Sequence, residues 1–198
     1  MSLSVRCFFH KDTNTSVFVA WDPETKACAL IDTVLDFDIT NGRISTKSAD
    51  ELIAFIEEKG LKVEHILETH VHADHVTAAD YLRKKLNAPV GTGACVTTVQ
   101  EAFVKLYNLG DDVKTDGSQF DNLWKDGDEF RIGSVPVKVF HTPGHTPACV
   151  CYLAGDALFA GDTIFMPDFG TARCDFPGGS ASVLYEYDYF VRFHFTHF

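Results

Sequence analysis

Apolar clusters separated by turn-forming residues predict a chain of short strands and a few helices. β-Branched and aromatic runs predict strands at residues 3–9, 15–21, 27–31, 62–68, 89–93, 129–132, 135–140, 149–153 and 157–160. Apolar residues at helical spacing predict one helix after Ser48, a second over residues 74–86 and a third over residues 96–107. Strands therefore dominate both halves of the chain, with the helices interleaved between them.

The first predicted helix carries sequence signals at both ends. Ser48 and Glu51 have the Ser-x-x-Glu spacing of a capping box, and Gly60 is expected to end the helix. Its apolar positions follow helical spacing and are Ala49, Leu52, Ile53 and Ile56. Residues 36–42 before this helix are largely polar, and a loop is expected there.

Four side chains that bind metals well follow the predicted strand at residues 62–68. They are His70, His72, Asp74 and His75. We expect the loop to present the first two and the first turn of the next helix to present the last two. Imidazole and carboxylate are the ligands of zinc and non-haem iron, whereas magnesium and calcium prefer oxygen. Ordinary polar loop residues are the alternative, but this spacing favours a metal site.

Two later segments also place metal-binding side chains at predicted strand ends. His145 lies in the turn T-P-G-H-T, and Asp162 lies in the segment G-D-T. Each segment alone is weak evidence, because aspartate beside glycine is more often a turn former. Together with the first cluster, His145 and Asp162 supply ligands from other parts of the predicted sheet.

Composition narrows the class of protein and its partners. The 198 residues are 45% hydrophobic and 23% charged, which is typical of one globular domain. Seventeen basic and 28 acidic residues give a net charge of −11, which disfavours nucleic acid and anionic membranes as partners. No segment has the length of a membrane span or the pattern of a signal peptide. The cytoplasm is the expected location, with a mature mitochondrial form as the alternative.

The order T-H-x-H-x-D-H, T-P-G-H-T and G-D-T resembles the metallo-β-lactamase superfamily. The resemblance covers roughly residues 3–179 and implies an α/β fold, a four-layer αβ/βα sandwich with its site at one edge of two sheets. Within that superfamily, residues 31–38, 68–75 and 165–179 are most similar to persulfide dioxygenases. We therefore expect a metallo-β-lactamase-like domain over residues 1–182 and a divergent aromatic tail over residues 183–198, a C-terminus that looks truncated.

The resemblance to persulfide dioxygenases also implies a metal and its ligands. It implies one Fe(II) per chain, held by His70, His145 and Asp162, with zinc as the alternative metal. Two histidines and one carboxylate leave coordination positions open in facial-triad oxygenases. The implied reaction oxidises glutathione persulfide with dioxygen to sulfite and glutathione. Dimers are common in the family, so the resemblance allows a homodimer, but the sequence itself does not give the oligomeric state.

Further residues receive roles from the same resemblance. His72, Asp74 and His75 are expected to act in catalysis by orienting ligands and water through hydrogen bonds. Arg173 is the candidate for binding the carboxylates of the substrate. A structural ion pair of Arg173 with Asp168 or Asp175 is an equal alternative, because arginine suits both tasks.

Two other functions remain open from the sequence. A glyoxalase II-type hydrolase would use two zinc ions to cleave a glutathione thioester. Asp74, His75 and Asp162 would begin the second metal site, but the surroundings of His194 and His197 do not match the late histidine of that pattern. The third alternative is a non-catalytic metal-binding protein.

Overall fold

The computed structural model describes residues 3–166 and 168–195 of the chain. The strands are β1 (Ser4–His10), β2 (Thr15–Trp21), β3 (Ala27–Ile31), β4 (Val34–Asp38), β5 (Arg43–Ser45), β6 (Lys62–Leu67), β7 (Val76–Thr77), β8 (Val90–Gly93), β9 (Asn122–Trp124), β10 (Glu129–Ile132), β11 (Val135–His141), β12 (Val150–Ala154) and β13 (Ala157–Phe159). The helices are α1 (Lys47–Lys59), α2 (Ala79–Leu86), α3 (Val96–Tyr107) and α4 (Ala181–Phe195). The nine strands predicted from the sequence are confirmed to within two residues at each end.

The first of two compact units contains residues 3–68, 72–91 and 131–136. Its main sheet runs β1-β2-β3-β6-β8, with antiparallel pairing from β1 to β3 and parallel pairing from β3 to β8. Strand β3 is buried along its whole length. Because Ile31 pairs with Leu67 in parallel register, Asp32 and Glu68 leave the sheet at the same edge.

A small three-stranded sheet, β5-β4-β7, corrects two sequence predictions. The loop predicted at residues 36–42 contains the end of β4 and its turn into β5. The helix predicted to begin at Asp74 begins instead at Ala79. Val76 and Thr77 are β-branched residues, which favour strands, and they pair with β4 as strand β7. The helix can therefore begin only after them. Asp74 therefore lies in a turn before β7 and outside any helix.

Helix α1 begins differently from its predicted capping box. Its N-terminal cap is Thr46, which makes no side-chain bond to the helix backbone. The hydroxyl of Ser48 donates to Asp36 Oδ1 at 2.6 Å, so the capping box was wrong. Gly60 ends the helix at φ +64°, as predicted. Three of the four predicted apolar positions are buried, and the fourth, Ile53, is half-buried.

The second unit contains residues 69–71, 92–130 and 137–195 of the described chain. Strands β11, β12 and β13 pair antiparallel in chain order. Helix α3 has the predicted bounds and buries Val96 and Val99 against Ala148. Helix α4 buries Leu184 and Val191. Much of the predicted aromatic tail thus lies in α4; residues 196–198, which include His197, lie outside the described residues, and the separate tail stays a prediction.

The helices give one observation about membranes. No helix within residues 3–166 and 168–195 is both long enough and apolar enough to cross a bilayer.

Candidate metal centre

His70, His145 and Asp162 meet in the second unit although they are distant in sequence. His70 follows β6, His145 lies in the turn after β11, and Asp162 follows β13. Asp162 Oδ2 lies 3.4 Å from His145 Nε2 and 4.0 Å from His70 Nε2. One ligand atom from each side chain lies within 4.8 Å of the others, a spacing at which one metal ion could bind all three.

Both imidazoles are buried and held from the side away from Asp162. His145 Nδ1 lies 2.7 Å from the backbone carbonyl oxygen of Arg173, which can only accept a hydrogen bond. Nδ1 of His145 therefore carries the proton, and Nε2 has the lone pair that a metal requires. His70 Nδ1 lies 3.0 Å from Thr69 Oγ1, so its Nε2 also faces Asp162.

The approach of Asp162 to His70 depends on the glycine before Asp162. Gly161 has φ +48°, a left-handed conformation that glycine adopts readily. A Cβ at this position would lie 2.2 Å from Thr69 Oγ1. The backbone of Thr69 is itself fixed, because its carbonyl accepts a hydrogen bond from Val150 N at 2.9 Å. The G-D-T segment thus supplies the Asp162 carboxylate, and the absence of a side chain at Gly161 lets this segment lie against Thr69, next to His70.

His72, Asp74 and His75 form a second group, in the first unit. The imidazole rings of His72 and His75 lie 4.3 Å apart between centroids. Asp74 Oδ2 lies 3.0 Å from His75 Nδ1 and accepts a hydrogen bond from Thr15 Oγ1 at 3.1 Å. Burial acts to raise the pKa of Asp74, but the hydrogen bond and charge of His75 outweigh it and lower this pKa to about 2. The structure thus brings these three predicted residues together.

Two acidic residues beside His72 were not predicted from the sequence. His72 Nε2 lies 3.0 Å from Asp32 Oδ1 and 3.2 Å from Glu68 Oε2, and both carboxylates are buried. Burial acts to lower the pKa of His72, but these carboxylates outweigh it and raise this pKa well above its ordinary value. Parallel pairing of β3 with β6 is the signal that could have found them, because it brings both strand ends to one edge.

Arg173 lies beside the first group through its backbone, while its side chain forms an ion pair. Its Nε and Nη2 donate to the two oxygens of Asp175 at 2.6 and 2.7 Å. This hydrogen bonding lowers the pKa of Asp175 to about 2. The guanidinium lies 4.7 Å from the ring centroid of Phe176, a residue that the sequence did not single out. The pair with Asp175 matches one of the two alternatives, and substrate binding by Arg173 stays a prediction.

The chain is similar to a known protein family over most of its length. The model of the metallo-β-lactamase superfamily matches residues 11–193. The chain belongs to the metallo-β-lactamase superfamily. The predicted metallo-β-lactamase fold is confirmed as a mixed α/β arrangement of strands and helices.

The proteins to which this chain is similar carry different functional names. Glyoxylase B2 of Dictyostelium discoideum is 50% identical over 183 residues, 91% of this chain and 63% of the relative. The mitochondrial persulfide dioxygenase ETHE1 of Homo sapiens is 29% identical over 183 residues. This match covers 91% of this chain and 59% of the relative. The crystal structure of ETHE1 from Myxococcus xanthus has a TM-score of 0.73 at 30% identity, covering 93% of this chain and 67% of that one.

These relatives are longer than the chain. It spans about two-fifths to two-thirds of the length of the curated relatives that it matches.

Proposed function

We propose that the chain binds one Fe(II) through His70, His145 and Asp162 and oxidises glutathione persulfide. The observation that carries the proposal is the meeting of two imidazoles and one carboxylate within 4.8 Å. This is the donor set of non-haem iron oxygenases, which leaves positions open for other ligands. The 30% identity to the ETHE1 structure and the 29% identity to a persulfide dioxygenase support the choice of substrate.

The reaction balances with water as a reactant. Glutathione persulfide, dioxygen and water give glutathione, sulfite and two protons, and a bound iron would supply the redox chemistry. His145 contributes a fixed lone pair at Nε2, because its Nδ1 proton is held by the Arg173 carbonyl. Asp162 contributes the anionic oxygen. We assign His72, Asp74 and His75 to orienting water and ligands, as the sequence predicts. The homodimer and the cytoplasmic location also stay predictions.

The test is metal analysis combined with oxygen uptake. Protein purified without added metal should contain iron, and adding glutathione persulfide should consume oxygen and release sulfite. Asp162→Asn should lose most of the iron and the activity, because an amide is a weaker ligand than a carboxylate. Iron binding without oxygen uptake would favour the non-catalytic alternative and overturn the proposal.

A glyoxalase II-type hydrolase is the second candidate because two observations favour it. A relative named Glyoxylase B2 is 50% identical, and His72, Asp74 and His75 form a further group with ligand atoms within 4.8 Å. Bound zinc would supply the activation of water that cleaves a glutathione thioester, with these side chains as candidate ligands. Two equivalents of zinc with thioester cleavage and no oxygen uptake would establish this candidate instead.

A further inference from the structure

The turn that carries His145 is fastened to the segment at residues 172–180, which we call the clamp segment. Ser180 N donates to the carbonyl of Gly144 at 2.8 Å, next to His145 in sequence. At position 179, a Cβ would lie 2.4 Å from Cys174 O and 3.1 Å from His145 O, so only glycine fits this approach. The clamp segment therefore lies directly against the backbone of one proposed metal ligand.

Three side chains of the clamp segment extend this contact to the imidazole ring. The ring of Phe176 meets that of His145 edge to face, with centroids 5.3 Å apart and an interplanar angle of 87°. The guanidinium of Arg173 covers Phe176 at 4.7 Å. Because Asp175 binds both Nε and Nη2 of Arg173, this guanidinium is held in one orientation. The guanidinium thus lies over the face of the phenyl ring, and the phenyl ring meets the imidazole edge to face.

The hydrogen bond to the Arg173 carbonyl cannot by itself fix the imidazole. It sets the protonated nitrogen and the direction of its N–H, but the ring can still turn about the N–H···O line. The Phe176 ring removes this freedom on one side, and the His70 ring, 4.9 Å away at 89°, limits it on another. Nε2 of His145 is then directed toward Asp162, 3.4 Å away.

We propose that Phe176 is a positioning residue for the metal, acting through the plane of His145 and supported by Arg173. The inference rests on the proposed metal site, but not on the identity of the substrate. On this proposal, the ion pair between Arg173 and Asp175 holds the guanidinium against the ring of Phe176. A packing role alone would make Phe176 matter for stability and leave the metal affinity unchanged.

The test measures Co(II) affinity by visible absorption in the full chain. Phe176→Leu should weaken binding about tenfold, the lower end of what loss of a supporting contact costs. Phe176→Tyr keeps the ring and should stay within about twofold of wild type, since its contact with His145 is retained. Arg173→Met keeps the carbonyl acceptor, lies on an exposed side chain and should give a smaller loss. Phe169→Leu is the matched control, because Phe169 is 72% exposed and lies against Phe165.

A second measurement separates positioning from packing. In zinc-loaded protein with 15N-labelled histidine, wild type and Phe176→Tyr should show a single sharp Nδ1–H signal for His145, and Phe176→Leu a broadened or shifted one. Unchanged affinity and an unchanged signal in Phe176→Leu would overturn the proposal, as would equal losses in Phe169→Leu. Co(II) binding by wild type, with no oxygen uptake by the Fe(II)-loaded protein on glutathione persulfide, would overturn the proposed function alone, and absence of Co(II) binding would overturn both.

Discussion

Replacing Gly161 by alanine should damage the His70, His145 and Asp162 group without touching any of its ligands. The new methyl group would lie 2.2 Å from Thr69 Oγ1 and 2.7 Å from Thr69 Cβ, far inside contact distance. Thr69 cannot simply retreat, because its backbone is bonded to Val150 and its hydroxyl contacts His70 Nδ1. We therefore expect the G-D-T segment and the Thr69–His70 segment to move apart.

The size of the effect follows from two separate costs. Placing alanine at φ +48° costs about 1–2 kcal/mol for the left-handed backbone. Forcing a methyl group into a filled space costs about 1–3 kcal/mol more. The sum, about 2–5 kcal/mol, is less than the stability of most domains, so the variant should still fold. Disturbing the hydrogen bond that orients His70 should also weaken metal binding about 10- to 100-fold.

Two measurements and two matched variants isolate these terms. Urea unfolding gives the loss of stability, and Co(II) titration gives the loss of affinity. Gly110→Ala is the control for backbone strain, because Gly110 has φ +56° and no atom within 4 Å of an added Cβ. It should cost only the first term. Thr69→Ala removes the hydroxyl beside His70 without a clash and should reproduce much of the affinity loss.

Two results would refute this reasoning. If Gly161→Ala lost no more stability than Gly110→Ala, the close approach of Gly161 to Thr69 would be wrong. If Gly161→Ala lost stability and kept full metal affinity, the link from Thr69 to His70 would be wrong.

Three further predictions concern stability. The Asp22 carboxylate accepts hydrogen bonds from Ser134 N and Oγ, which lower the pKa of Asp22 below its ordinary value. The ionised Asp22 therefore stabilises the fold fully above about pH 4, the pKa of aspartate in the unfolded chain, and this stabilisation is lost as the pH falls toward the pKa of Asp22 in the folded protein. Between pH 5 and 2, Tm should therefore drop less in Asp22→Asn than in wild type. Ile66→Ala, at a wholly buried site, should lower the free energy of unfolding in urea by about 2–5 kcal/mol. Chelation should lower the Tm of iron-loaded wild type, because metal bound only to the native state stabilises it, and should leave the Tm of Asp162→Asn unchanged.

Motif spacing predicted well which side chains would meet. His70, His145 and Asp162 each lie shortly after the end of a strand, so their positions depend on strand order more than on exact helix ends. The same holds for the grouping of His72, Asp74 and His75. Their assignment as ligands and catalytic groups rests on chemistry that the experiments above address.

Local patterns failed where a distant partner competed for the same residues. Helical spacing placed the start of α2 at Asp74, but Val76 and Thr77 pair with β4. The capping-box pattern failed because Asp36, on β4, takes the hydroxyl of Ser48. The edge-to-face contact of Phe176 with His145 could not be predicted from the sequence, since it forms only where the clamp segment packs against the turn after β11.

The path of the chain near His70 limits how the protein can be divided. Only residues 69–71 of the T-H-x-H-x-D-H segment belong to the second unit, and the chain returns to the first at His72. A fragment beginning at Thr92 would contain His145 and Asp162 but lack His70, while the complementary fragment would carry His70 alone. Fragment complementation, rather than expression of either piece, is therefore needed to rebuild the three-residue group.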